Sequence, residues 1–287
     1  MTIYNRNGEK LKYDQSQDEF LKHLYSSLAG RSLLKVLTQP MITKIGGAFM
    51  NSSLSKGQIS SFIEKNHIDL SLYEDKDYKS YNDFFTRKIK DGVRTIDQDQ
   101  DAFIAPCDSK LTVYSITDSL QLKIKNSVYT LEDLLMSPYL ADQYKGGLCL
   151  VFRLTVDDYH HYHYIDNGTA EKEHFIKGIF HTVNPIASEY YPIYKTNSRA
   201  YTVLHTEHFD DIVQMEVGAM MVGKITNLQK KSFVRGEEKG YFEFGGSTVI
   251  LLVKKDIINI DEDILKHSSN EDEVRVLMGE RIGTLMK

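Results

Sequence analysis

The stretch that decides the fold class is Lys239-Gly240-Tyr241-Phe242-Glu243-Phe244-Gly245-Gly246-Ser247-Thr248-Val249-Ile250-Leu251-Leu252. Its first part alternates apolar and polar residues and its last part is continuously apolar, which predicts two β-strands. Two glycines separate them, and glycine inside a strand costs about 1 kcal/mol unless a turn or a close approach requires it. Two interpretations stay open: an ordinary hairpin turn, or a site where the Ser247 hydroxyl attacks the carbonyl of Gly246.

Further strands are predicted after the polar run Gln98–Asp101, which marks a boundary. The segments with strand patterns are Leu120–Lys125, Leu148–Leu154 and Ile212–Val217. Helices are predicted at Leu131–Met136, in the tail from Asp263 to Met278, and through most of the chain before residue 98, including Gly57 to Lys90. The sequence therefore predicts an α+β protein, with a helical region at 1–97 and a mostly antiparallel β domain at 98–287.

Composition excludes several classes of protein. With 41% hydrophobic and 26% charged residues, the 287-residue chain resembles ordinary globular proteins and not disordered ones. Cys107 and Cys149 lie too far apart to suggest a disulfide framework or a Cys-rich zinc site. The apolar runs are shorter than the roughly 20 residues of a membrane span, and the N-terminus lacks the apolar segment of a signal peptide. A net charge of −5 argues against nucleic acid as a partner.

The charge is unevenly distributed. Between Leu21 and Ile63 there is no Asp or Glu but there are five Lys and Arg residues, so this window carries +5 and the remainder −10. A helix break is expected at Pro40, and the spacing places five apolar residues on one helical face: Leu34, Leu37, Met41, Ile45 and Ala48. The window is either a helical hairpin packed on the core or a pair of helices lying on an anionic membrane surface.

Three histidines follow the apolar strand Leu148–Leu154 within four positions: His160, His161 and His163. A strand end is where a rigid element can hold a reactive side chain near solvent. The cluster is structural, takes part in acid–base chemistry, or binds a metal, although no established metal-ligand pattern is present.

Five segments in one chain together resemble the phosphatidylserine decarboxylases. They are Asn82–Arg87, Asp158–His163, Val183–Pro185, Val217–Ile225 and the Gly245-Gly246-Ser247-Thr248 element with its apolar strand. The resemblance extends from the first helices to the C-terminal tail, and the order of the segments is that of the family.

The resemblance implies a self-processing enzyme with a pyruvoyl group as its covalent cofactor. Ser247 attacks the Gly246 carbonyl, and cleavage leaves a β chain of residues 1–246 and an α chain of residues 247–287 that begins with the pyruvoyl group. The two chains are expected to stay associated. The pyruvoyl ketone forms a Schiff base with phosphatidylserine. Loss of CO2 and release from the enzyme then give phosphatidylethanolamine.

The resemblance also implies roles for individual residues. Ser247, His163 and Asp108 match the set used for maturation, and His160 matches the histidine of the decarboxylation step; no metal is implied. The chain reads Ala105-Pro106-Cys107-Asp108-Ser109, where the family usually has Gly after the Asp, so the backbone at Ser109 is in question.

The expected partners are phosphatidylserine, an anionic membrane surface and, by resemblance, a second copy of the chain in a homodimer. The expected location is peripheral, on the cytoplasmic face of the cell membrane. Three alternatives remain: a pyruvoyl-dependent decarboxylase of a soluble amino acid, a non-catalytic lipid-surface binding protein, and a metal-dependent hydrolase that uses the three histidines.

Overall fold

Helices gather in the first 90 residues, and strands dominate from residue 102 onward. The computed structural model describes residues 2–12, 16–124, 127–184, 187, 190–219, 224–243 and 247–287. The helices are α1 (Ser16–Ser26), α2 (Leu28–Leu37), α3 (Pro40–Asn51), α4 (Ile59–Asn66), α5 (Tyr81–Phe85), α6 (Leu131–Leu135), α7 (Pro138–Asp142), α8 (Ile193–Thr196) and α9 (Glu262–Ser269), with 3-10 turns at Ser53–Gln58 and Leu70–Leu72.

The strands form one large sheet and three small ones. They are β1 (Ile3–Tyr4), β2 (Lys10–Leu11), β3 (Ala102–Ile104), β4 (Ser109–Ser115), β5 (Gln121–Ile124), β6 (Ser127–Thr130), β7 (Leu148–Leu154), β8 (His161–His163), β9 (Gly168–Ala170), β10 (His174–Ile176), β11 (Arg199–Thr206), β12 (Asp211–Val217), β13 (Ile225–Asn227), β14 (Ser232–Phe233), β15 (Glu238–Phe242), β16 (Ser247–Val253), β17 (Ile258–Ile260), β18 (Glu273–Val276) and β19 (Arg281–Leu285).

The large sheet has the order β14-β9-β11-β12-β16-β7-β4-β18-β1-β2, with β10 also paired to β11. Its named strand pairs are antiparallel except β1 with β18. The predicted strands at 148–154 and 212–217 and the apolar strand after the glycines are confirmed as β7, β12 and β16. Alternate side chains of β16 enter two cores, because successive residues of a strand point to opposite faces. The mixed, mostly antiparallel α+β fold is therefore confirmed.

The break at Pro40 is also confirmed, but the single apolar face is not. Helix α2 ends at Leu37, and Pro40 occupies the first turn of α3. Because the two helices separate there, Leu34 is buried in the core, whereas Met41 and Ile45 are 71% and 62% exposed.

Helix was over-predicted between Gly57 and Lys90. Helix α4 ends where His67 adopts a left-handed conformation at φ 52°, and α5 begins only after the Ser80 side chain accepts a hydrogen bond from the Asp83 amide. Between them the backbone forms one 3-10 turn.

The predicted helix in the C-terminal tail is also partly wrong. It ends at Ser269, and Glu273–Val276 forms strand β18, with Val274 and Val276 buried and Arg275 exposed. That alternation has the period of a strand, which the helical interpretation of the tail missed. The N-terminal strands β1 and β2 extend the large sheet beyond β18, so the first residues of the chain are strand and not helix.

In the described part of the chain, no helix is both long and apolar enough to cross a bilayer. Cys107 and Cys149 are both free and buried.

Candidate active site

Ser247 is the first residue of β16, the strand that lies between β12 and β7, and its side chain is fully buried. The His160 Nδ1 atom lies 3.3 Å from the Ser247 hydroxyl oxygen, and the His160 Nε2 atom lies 2.9 Å from the Thr155 carbonyl oxygen. Since a carbonyl can only accept, Nε2 carries the proton of the neutral ring. Nδ1 is then the acceptor for the Ser247 hydroxyl.

The surroundings of His160 keep its ring neutral. Burial lowers the pKa of His160 to about 3, the Thr155 carbonyl opposes that effect, and the positive charge of Arg87 adds to it. The ring of Phe85, from α5, lies 4.2 Å from the His160 ring between centroids. A segment of the helical region therefore forms one wall of the site.

A buried ion pair holds the turn that carries Thr155. The Thr155 amide donates to the Asp158 carboxylate at 2.7 Å, and Lys110 Nζ donates to the same carboxylate at 2.7 Å. Lys110 and Asp158 are both buried, and burial raises the pKa of Asp158 although Lys110 opposes it. The pair fixes the carbonyl that sets the protonation pattern of His160.

His163 lies in β8, close to the site but without contact to Ser247. Its Nδ1 atom is buried and, within the described ranges, has no hydrogen-bond partner, and its backbone amide donates to the Pro106 carbonyl at 2.8 Å. Burial lowers its pKa to about 4, so this ring is also a free base near neutral pH.

Asp108 is held by a cation and not by a histidine. Its carboxylate accepts from Arg94 Nε and Nη2 at 3.0 and 2.6 Å and from the Met278 amide at 2.8 Å. Among the residues that the structure describes, Asp108 and His163 form no hydrogen bond with each other or with Ser247. The next residue, Ser109, begins β4 without a positive φ, so the missing glycine imposes no backbone strain there.

His161 links the helical region to the β domain. Its Nδ1 lies 3.0 Å from Glu238 Oε1, its Nε2 lies 3.3 Å from the Thr86 carbonyl oxygen, and its ring stacks between Tyr159 and Tyr241. The side chains of His160 and His161 thus have different hydrogen-bond partners. No group of three His, Cys, Asp or Glu residues within the described ranges could hold a metal ion.

A cavity of about 680 Å³ lies beside the site, and Tyr73, Asp108, Thr155 and Asp158 contribute to its wall. The cations Arg94, Lys110 and Arg153 also reach this wall, and each is paired with a carboxylate, from Asp108, Asp158 and Glu273 respectively. The buried cations of the cavity are therefore neutralised within the protein.

Sequence reasoning missed Thr155 and Arg94. The run Thr155-Val156-Asp157-Asp158 after β7 is typical of a turn closed by an Asp side chain, so Thr155 could have been found. Arg94 lies in an irregular segment, 14 residues before its partner Asp108, and no local sequence pattern indicates its role. Pro185, residues 220–223 and residues 244–246 of the quoted segments lie outside the described residues.

Comparison with known proteins decides the family. The family model described as phosphatidylserine decarboxylase matches residues 81–284. The chain is 47% identical to phosphatidylserine decarboxylase proenzyme 2 of Clostridium acetobutylicum, over 99% of this chain and 98% of that protein. It is 40% identical to the phosphatidylserine decarboxylase proenzyme of Clostridium botulinum, over 98% of each.

The chain belongs to the phosphatidylserine decarboxylase family. The resemblance drawn from the five segments is thereby confirmed. The part that the family model of phosphatidylserine decarboxylase matches begins at α5 and includes Asp108, His160, His163 and Ser247. Phe85 and strand β16 thus belong to one matched region.

Proposed function

We propose that this protein decarboxylates phosphatidylserine to phosphatidylethanolamine with a pyruvoyl group formed from Ser247. The observation that carries the proposal is the buried hydrogen bond between Ser247 and His160 at the start of β16, in a chain of this family. Cleavage between Gly246 and Ser247 would give a β chain of residues 1–246 and an α chain of residues 247–287.

Strand pairing explains how the two chains would stay together. In the α chain, β16 pairs with β7 along its whole length and with β12, while β18 pairs with β4 and β1. All of these partners belong to the β chain. The buried side chains of β16 add an apolar interface, so cleavage at residue 246 leaves the core intact.

The residues present fit a pyruvoyl group at position 247. The Ser247 side chain is buried, and the buried His163 Nδ1 atom has no hydrogen-bond partner among the described residues. When formed, the group supplies an adjacent carbonyl that withdraws electrons as CO2 leaves. His160, fixed by Thr155, holds its unprotonated Nδ1 at residue 247, where it can take a proton from the substrate ammonium group and return that proton to carbon in place of CO2.

For maturation we propose that His163 takes the proton of Ser247 and that Asp108 assists it. The neutral ring and the free Nδ1 of His163 support this role. Since Asp108 is held by Arg94, it would act on His163 through its charge, which favours the protonated ring. In this assignment the two histidines serve different steps.

Single substitutions of the histidines test this assignment. His163→Gln should remain uncleaved on a denaturing gel, whereas His160→Gln should be cleaved but should not release CO2 from phosphatidylserine. Cleavage of the His163 variant together with an uncleaved His160 variant would assign the maturation step to His160 instead. Turnover of a free amino acid, with none of phosphatidylserine, would favour the soluble-substrate alternative.

The helical region offers a surface that suits an anionic membrane. Large apolar side chains are exposed along it, namely Leu28, Leu33, Val36, Met41, Ile45, Phe49 and Leu54. Arg31, Lys35 and Lys44 lie among them, with no acidic residue between Leu21 and Ile63. Exposed apolar residues beside cations are typical of helices that lie in a lipid interface. We infer that this surface docks on the lipid bilayer that supplies the substrate.

Vesicle sedimentation tests this docking surface. Binding to vesicles with phosphatidylserine should exceed binding to phosphatidylcholine alone and should fall as salt is raised, because the attraction is electrostatic. Equal binding to both would contradict the proposed surface. The expected homodimer stays a prediction, which light scattering of the cleaved protein tests.

A further inference from the structure

Arg87 is a buried cation with no counter-charge in the part of the chain that the structure describes. Only 2% of its surface is exposed, and within the described residues no carboxylate lies at ion-pair distance from it. Its Nη1 and Nη2 atoms make long contacts of 3.4 and 3.3 Å with the Phe84 carbonyl and the Tyr73 hydroxyl. Its Nε atom is buried and has no hydrogen-bond partner among the residues described.

Other buried cations of the protein have shorter hydrogen bonds to charged or carbonyl partners. Lys110, Arg153 and Lys239 each donate to a buried carboxylate, at distances between 2.6 and 2.8 Å. Arg199 has no carboxylate but donates to four carbonyl oxygens at 2.7 to 3.1 Å. Because a buried charge is costly unless it is paired and hydrogen-bonded, Arg87 requires an explanation that these residues do not.

The position of Arg87 points to the substrate. It follows α5, two residues after Phe85, whose ring contacts His160, and its charge acts on His160. The guanidinium lies over the Tyr73 ring at 4.4 Å, and Tyr73 contributes to the wall of the 680 Å³ cavity. A ligand in this cavity would reach Arg87 by displacing the weak contact of the Tyr73 hydroxyl.

The lipid headgroup carries two anionic groups, a carboxylate and a phosphodiester. A cation at the carboxylate would stabilise the charged ground state more than the transition state, in which that charge moves away, and would slow the loss of CO2. The phosphodiester keeps its charge throughout and lies one CH2–O link from the reacting carbon. A guanidinium also matches phosphate geometry through paired donors.

We propose that Arg87 binds the phosphodiester of the lipid substrate and so fixes the headgroup beside His160. The proposal rests on the proposed function, since the ligand is the substrate of that reaction. It gives the Asn82–Arg87 segment a role in binding, beyond the contact that Phe85 makes with His160.

The test uses the cleaved wild-type enzyme and its Arg87→Met and Arg87→Lys variants. Binding of glycerophosphoethanolamine, which has the phosphodiester and no carboxylate, and of serine, which has the carboxylate and no phosphate, is measured by calorimetry. Arg87→Met should weaken the first ligand by roughly ten- to hundredfold and leave the second unchanged. Arg281→Met, which removes an exposed guanidinium outside the cavity wall, should bind both ligands as the wild type does.

Two results would overturn the proposal. One is equal binding of glycerophosphoethanolamine to wild type and both Arg87 variants; the other is a loss confined to serine, which would place the carboxylate at Arg87. Thermal unfolding gives a separate check. Arg87→Met removes a charge that has no counter-charge among the described residues, so it should not lower the melting temperature. If the role of Arg87 is purely structural, both Arg87 variants should melt at a markedly lower temperature. Absence of turnover by the wild type would refute the proposed function and leave these binding comparisons unaffected.

Discussion

The buried histidines should make the protein lose stability as the pH falls below 6.5. A histidine has a pKa near 6.5 in an unfolded chain, whereas burial lowers the pKa of His160 to about 3 in the folded protein. Below pH 6.5 the unfolded chain therefore binds a proton that the folded chain refuses. By linkage, the free energy of unfolding must decrease as the pH decreases through this range.

The size of the effect follows from the two pKa values. Between pH 6.5 and pH 4.5 the single residue His160 should account for about 2 kcal/mol of lost stability. His163 and His181, whose pKa values burial lowers to about 4, act in the same direction. Together the three approach the whole stability of a typical domain.

Urea unfolding of the Ser247→Ala proenzyme, followed by circular dichroism at pH 6.5, 5.5 and 4.5, measures this dependence on a single chain. Adding His160→Gln should reduce the loss between the two extremes by about 2 kcal/mol, whatever it does to the absolute stability. The partly exposed His205 provides a control of opposite sign, because Asp211 raises its pKa. Its contribution is present below pH 6.5 and disappears only as the pH rises above that value, so His205→Gln should leave the loss between pH 6.5 and pH 4.5 nearly unchanged. Identical pH dependence with and without His160 would refute the reasoning.

Three further predictions concern a glycine, an ion pair and the docking surface. Gly240→Ala should lower the free energy of unfolding by about 1–3 kcal/mol in urea, because a Cβ there would lie 2.2 Å from the Thr226 carbonyl oxygen; wild-type stability would contradict the close packing of β13 on β15. Arg94→Met should cost about 3–5 kcal/mol by the same measurement, since it leaves the Asp108 carboxylate buried without its cation, and a neutral effect would show that the pair is dispensable. Ile45→Asp should weaken sedimentation with phosphatidylserine vesicles by about tenfold or more, while the matched exposed residue Leu265, on α9, should tolerate Asp; equal binding by both variants would argue against docking through α3.

Elements with strong local patterns could be predicted from the sequence. The strands β7, β12 and β16 follow from apolar or alternating runs, and the break before α3 follows from the missing amide of Pro40. The tail could not be predicted in the same way, because β18 is only four residues long and is stabilised by pairing with β4, whose sequence is remote. The alternation of Val274, Arg275 and Val276 covers too few residues to distinguish a strand from a continuation of the preceding helix.

In the candidate site, too, local motifs could be predicted and contacts between distant residues could not. Motifs placed Ser247 and the histidine cluster together, since each motif is local and the family fixes their order. The partners that hold these residues are distant in sequence: Lys110 lies 48 residues from Asp158, and Arg94 comes from an irregular segment. The residues of the proposed chemistry could therefore be named from motifs and stay predictions, whereas the hydrogen bonds around them required the structure.

The most direct test of the central claim is the chemistry at position 247. Purified protein should separate on a denaturing gel into fragments of residues 1–246 and 247–287. Mass spectrometry of the small fragment should show a pyruvoyl group at its N-terminus, lighter by one ammonia than a fragment that begins with serine. An unbroken chain of full mass with Ser247 unmodified would contradict the account.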